Sequence, residues 1–204
     1  MDYQRFLDGF LLFIALINPI SKLLVVSIIS QEQPYKRIAN ICIASTAMAA
    51  LILLAFASAG RFLFVDFLHI HLYSLQVVGG GVLIMTGFNA LEKGHFLAEA
   101  ESKKLSEVSL VPLASPLIAG PATITASISQ ASIYGFEGTA SVLGAALLVN
   151  LVIMLTAPFI AKALERFSIL GPLIRITGMI VMALGVEMGL QGVGDWWVTV
   201  RQMP

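Results

Sequence analysis

Two short stretches, each set in apolar sequence, carry the residues that could bind a polar solute. The first is Asn18-Pro19-Ile20-Ser21-Lys22, and the second runs from Pro112 to Ile124 as Pro-Leu-Ala-Ser-Pro-Leu-Ile-Ala-Gly-Pro-Ala-Thr-Ile. Proline has no amide proton and disfavours helix in the residue before it. Asn18-Pro19 and Ser115-Pro116 therefore each read as a capping residue followed by proline at the first helical position. Gly120-Pro121 reads as a further stop and start. A helix that restarts within an apolar segment presents unpaired amides and a positive dipole end to whatever lies there. That chemistry suits a carboxylate. The candidate solute-binding residues are Asn18, Pro19, Ser21, Ser115, Pro116, Gly120, Pro121 and Thr123, the last being in the first turn after the restart.

Two charged residues fall inside the same apolar segments. Lys22 either snorkels to an interface several residues away or neutralises a solute carboxylate or an acid. Glu187 is an intramembrane carboxylate, a candidate for holding a solute ammonium or a coupling proton, or for a wet structural role. Asp66, His69 and His71 are closely spaced, but they read as solvated surface and no metal site is assigned. Cys42 stands alone in an apolar segment and reads as an inert thiol. No cofactor is implied, and the glycine run Gly79-Gly80-Gly81 has no following Lys-Ser/Thr, so it reads as helix packing and not as a phosphate loop.

The elements that must position these groups follow from composition. The 204 residues are 58% hydrophobic and 12% charged, against roughly 25% charged in soluble domains. Mean hydropathy is +0.91. The fold class is an all-α membrane protein. A span needs roughly 20 apolar residues, and six segments qualify: about 6–29, 38–60, 71–91, 108–133, 138–161 and 172–193. The first reads as a membrane span and not as a cleaved signal peptide. Tyr3, Tyr35, Tyr73, Tyr134, Trp196 and Trp197 lie at or just beyond segment ends, where amphipathic rings sit. Lys36, Arg37, Lys93, Lys103, Lys104, Lys162 and Arg166 follow segments one, three and five, which predicts a cytoplasmic position for those connections and an outer position for both termini.

An internal repeat organises the segments. Pro19 and Pro116 are 97 residues apart, and 98 residues separate Gly80 from Gly178 and Gly87 from Gly185. The division is a first three-helix repeat over 1–92, a cytoplasmic linker over 93–107 and a second repeat over 108–204. Three helices is an odd number, so the second repeat is inverted. The broken helices one and four then cross in opposite senses and can face each other. Glu187 has Asn89 as its repeat counterpart.

These motifs resemble the MarC family of six-helix membrane proteins, which includes neutral amino acid transporters of the SnatA type. The family pattern Pro-Leu-Ala-x-Pro-Leu-x-Ala-Gly-Pro-Gly-x-Ile is met by residues 112–124 at nearly every fixed position. The early Asn-Pro is met by Asn18-Pro19, the middle Gly-Gly by Gly79-Gly80, and the late pattern by Arg175, Gly178 and Gly185-Val186-Glu187. The chain departs from the pattern at Ser21, Lys22 and Leu24, where Gly, Asn and Pro are usual, at Ala122 for Gly and at Ser115 for an apolar residue. The resemblance implies two inverted three-helix repeats whose broken first and fourth helices line a substrate site.

The expected function is secondary transport of a small solute, a neutral amino acid or similar zwitterion, by alternating access. The alternative is a non-transporting assembly or regulatory component of the membrane. No Ser-Lys, Ser-His or paired-Asp arrangement supports an enzyme. Implied partners are the lipid bilayer, the solute and a coupling ion, proton or sodium, in the inner membrane of a prokaryote. A homo-oligomer is left open, and zero formal net charge gives no footing for nucleic acid.

Overall fold

A computed structural model describes residues 2–30, 33–93, 118–166 and 170–201. The described residues are helical throughout, with no strand. In chain order the helices are α1 (Tyr3–Ile17), α2 (Pro19–Ser30), α3 (Tyr35–Arg61) with a π-helical extension (Phe62–Phe67), α4 (Leu72–Lys93), α5 (Pro121–Arg166) and α6 (Leu170–Arg201). Among the described residues five helical stretches are long and apolar enough to cross a membrane: Tyr3–Ser27, Tyr35–Phe67, Leu72–Lys93, Pro121–Ile160 and Gly171–Arg201. The linker 93–107, Ser115 and Pro116 lie outside the described residues, apart from Lys93 at the end of α4.

The break in the first segment falls between α1 and α2, at Asn18. The second described restart is at Pro121, preceded by Gly120. α5 is not one rod. Gly135 sits at φ 79°, ψ 164° within it, a conformation that only glycine enters at low cost. A Cβ built on Gly9 of α1 would lie 3.2 Å from Val142 and 3.9 Å from the Gln130 side chain. Those two residues flank Gly135 and would be about 18 Å apart along a straight helix. The chain therefore reverses at Gly135.

Helix ends differ from expectation in two places. The second segment, expected to close near residue 60, runs on through the π-helical turns to Phe67. The last, expected to end near 193, continues to Arg201, so Trp196 and Trp197 lie within α6 and Arg201 rests 4.8 Å over the Trp197 ring.

Packing rests on small residues where two backbones meet. A Cβ on Gly80 would lie 2.5 Å from the Gly185 carbonyl oxygen, and a Cβ on Gly87 would lie 2.4 Å from that of Gly178. Reciprocally, Gly185 meets Gly80 and Gly178 meets Gly87. α4 and α6 thus cross antiparallel in near backbone contact. Lipid tails are as apolar as leucine, so association comes from close packing, which glycine permits. The core lies between these helices and α1, α3 and α5, and includes Phe13, Ile17, Leu53, Ile118, Leu143 and Met154. Leu11, Leu51, Met85, Leu148, Phe159 and Leu190 point outward, as a lipid-facing belt requires.

Gly80→Ala should destabilise the protein by about 1–3 kcal/mol through overpacking against backbone that cannot yield. Gly81→Ala, which meets nothing within 4 Å, should be neutral or slightly stabilising. Thermal unfolding in detergent distinguishes the two, and equal behaviour would refute the backbone-contact account.

Candidate functional site

Asn18 makes the first break by serving two helices. It is the left-handed end of α1, at φ 53°, ψ 74°, and its amide donates to the Ile14 carbonyl at 2.9 Å. Asparagine enters this region more readily than other side-chain-bearing residues. Pro19 then opens α2, where its missing N–H costs nothing. The Asn18 side chain caps α2: its Oδ1 accepts from the Ser21 amide at 3.4 Å, and the same amide lies 3.1 Å from the Asn18 carbonyl. The Ser21 hydroxyl donates to that carbonyl at 2.7 Å. Asn18 and Ser21 are 7% and 3% exposed.

Lys22 is 2% exposed, so it does not snorkel to an interface, and no carboxylate among the described residues pairs with it. Its ammonium donates to the Ile17 carbonyl, one of the acceptors freed at the end of α1.

At the second break, Pro121 holds the first position of α5 and the Ile124 amide donates to the Gly120 carbonyl at 2.9 Å. Thr123 is buried in the first turn, as expected, at 3% exposed. Thr125 bonds back to the Pro121 carbonyl at 2.9 Å and Ser127 to that of Ile124 at 2.7 Å, the local use of hydroxyls that helices commonly make.

A cavity of about 440 Å³ adjoins both breaks. Its walls include Leu16, two residues before Asn18, and Ala126, in the second turn after Pro121. Of the residues singled out from sequence, Glu187 lines it; Asn18, Pro19, Ser21, Lys22, Gly120, Pro121 and Thr123 do not. Glu187 is exposed and accepts from Gln191 Nε2 at 3.0 Å. Ser129 also lines the cavity, as do Gln76, Gln130 and Asp195, which went unnoticed in the sequence. The signal was available for Gln76 and Gln130, which are amides within apolar spans. Gln76 Oε1 is buried without a hydrogen-bond partner among the described residues. The cavity thus offers two carboxylates, three amides and a hydroxyl alongside apolar side chains such as Leu12, Leu184 and Met188, a surface able to hold a small amphipathic molecule with an ammonium group.

Other polar groups stay apart from this cavity. Asn150 is fully buried, donating to Met154 Sδ at 3.2 Å, and its Oδ1 has no partner. His69 Nδ1 lies 3.1 Å from the Phe67 carbonyl and His71 stacks on Tyr73. Among the described residues no group of three His, Cys, Asp or Glu could hold a metal ion.

Asn18→Ala should cost about 2–3 kcal/mol, combining left-handed strain with a lost cap. Asn18→Gly keeps the conformation and should cost only a few tenths. Chemical denaturation in detergent measures both, and an equal loss would show that φ at this position is not what matters.

The MarC family model, for integral membrane proteins, matches residues 3–197. A UPF0056 membrane protein of Pyrococcus horikoshii is 33% identical over 193 residues, covering 94% of each chain. Another, of Methanocaldococcus jannaschii, is 29% identical over 202 residues, covering 95% of this chain and 98% of its own. A third, of Buchnera aphidicola, is 27% identical over 210 residues, covering 95% and 94%. No solved structure matches the chain at a significant level. With a family model spanning nearly its whole length and prokaryotic relatives matched end to end, this chain belongs to the MarC family of integral, multi-pass membrane proteins.

Proposed function

We propose that the protein is a secondary transporter, and not an enzyme, that moves a small zwitterion of the neutral amino acid class by alternating access. One observation carries this reading: a single cavity is lined by Leu16, in the last turn before the first break, and by Ala126, in the second turn after the second, and also by the carboxylates of Glu187 and Asp195. An acidic wall favours an ammonium, and a helix N-terminus favours a carboxylate; in this reading the carboxylate reaches the helix N-termini beyond the cavity when the site opens. Asn18, Ser21 and Thr123 are buried and outside the cavity lining. In this reading the cavity is a vestibule and those residues belong to a site closed in this state, one of the states that alternating access requires.

The reading includes six crossings in two inverted three-helix repeats, over 1–92 and 108–204. The reversal at Gly135 supports it by dividing the 40-residue stretch Pro121–Ile160 into two segments. The reciprocal glycine contacts support it too: exchanging each glycine for its counterpart 98 residues away turns the Gly80–Gly185 pair into Gly178–Gly87. That is the behaviour of a two-fold relation between antiparallel units. The lysine and arginine distribution orients both termini outward in the inner membrane, with 93–107 cytoplasmic.

A second reading, a non-transporting membrane component, draws on the way the first break closes on itself through Asn18, Ser21 and Lys22. It requires the breaks to be structural only.

Neutral amino acids should raise the melting temperature of the detergent-purified protein. A ligand specific to the folded state adds about 2.7 kcal/mol at a hundredfold excess over its Kd. In liposomes, Pro19→Ala with Pro121→Ala should abolish uptake of the stabilising solute while the protein still inserts, and Glu187→Gln should weaken its binding. Full uptake by the double variant would remove the transporter reading.

A further inference from the structure

The C-terminal end of a half-helix is a cation site. Its last carbonyls have no intrahelical donors, and the aligned peptide dipoles place about half a negative charge there. In transporters built around broken helices, that end coordinates the coupling sodium ion or proton. α1 ends in this way at Ile17, inside the protein.

Here the position is filled by the chain itself. Lys22 lies on the first turns of α2, and its side chain runs back past the break to place the ammonium on the Ile17 carbonyl. The residue is 2% exposed, and no carboxylate among the described residues answers its charge. A buried ammonium without an acid partner is costly. The negative end of α1 is the compensation the structure provides. The neighbouring Asn18 carbonyl accepts from the Ser21 hydroxyl, and Ile17, Leu23 and Val26 belong to the core.

We propose that Lys22 is a tethered cation that takes the place of a coupling sodium ion at the end of α1, so that solute handling by this protein is independent of sodium. The functional half of this statement rests on the transporter reading; the occupied cation position does not.

The test is thermal unfolding of the detergent-purified protein in sodium chloride and in N-methylglucamine chloride at equal ionic strength. Wild type and Lys22→Arg should unfold at the same temperature in both salts. Lys22→Ser, which removes the charge and leaves room, should melt more than about 4 °C lower in N-methylglucamine, by loss of a charged hydrogen bond. It should recover part of that loss saturably as sodium is added. Stabilisation of wild type by sodium, or a Lys22→Ser deficit that sodium leaves unchanged, overturns the proposal. Should Lys22→Ser not fold in either salt, Lys22→Met decides: the uncharged side chain of similar length should also fail where Lys22→Arg folds, and wild-type stability of Lys22→Met overturns the proposal. Cation dependence is read without any solute. Sodium stabilising a wild type that amino acids also stabilise would therefore end the tethered-cation proposal alone, while expected cation behaviour without any amino acid response would end the cargo reading alone.

Discussion

A backbone group left unpaired away from water costs several kcal/mol, and the structure around the first break is the answer to that cost. Pro19 removes one donor, Asn18 turns the chain left-handed, and the freed groups are met by the Asn18 side chain, the Ser21 hydroxyl and the Lys22 ammonium. Each of these is short-range, within five residues. The break therefore holds its shape from local chemistry and can be packed as a rigid corner against α5, with Ile17 and Leu23 in the core on either side of it.

The second constraint is closeness. α4 and α6 approach until the Cα of one faces the carbonyl of the other, at two points that exchange when each glycine is replaced by the one 98 residues away. Such contact fixes the register of the two helices more tightly than a leucine seam would, because a shift along the axis brings side chains against backbone. With α4 and α6 locked, Gln76 on one and Glu187, Gln191 and Asp195 on the other are held around one cavity. The polar wall of the vestibule is thus a product of the glycine crossing.

Legibility differed between the two parts of the site. The break at Asn18-Pro19 was readable because its grammar is local: a residue tolerant of left-handed φ, a proline and a hydroxyl within four positions. In the second stretch the same grammar marks both Ser115-Pro116 and Gly120-Pro121; the restart at Gly120-Pro121 is described, and Ser115-Pro116 lies outside the described residues. Lys22 was legible as an anomaly but not in its role. Its partner is a carbonyl, which every residue carries and no sequence pattern marks. Gln76, Gln130 and Asp195 escaped notice because a single polar residue in an apolar span has no periodicity to exploit.

The sequence by itself determined that the chain is helical and membrane-embedded, that its first helix breaks at Asn18, and that Gly80 and Gly87 recur at Gly178 and Gly185. These are consequences of composition, of proline and of spacing along one chain. Only the tertiary structure decided that those glycines meet in pairs, that Leu16 and Ala126 border the same cavity as Glu187, and that Lys22 turns inward onto Ile17. Such facts depend on which faces of separate helices meet. Helix packing chooses those faces through contacts between residues far apart in the chain, and no local preference encodes them.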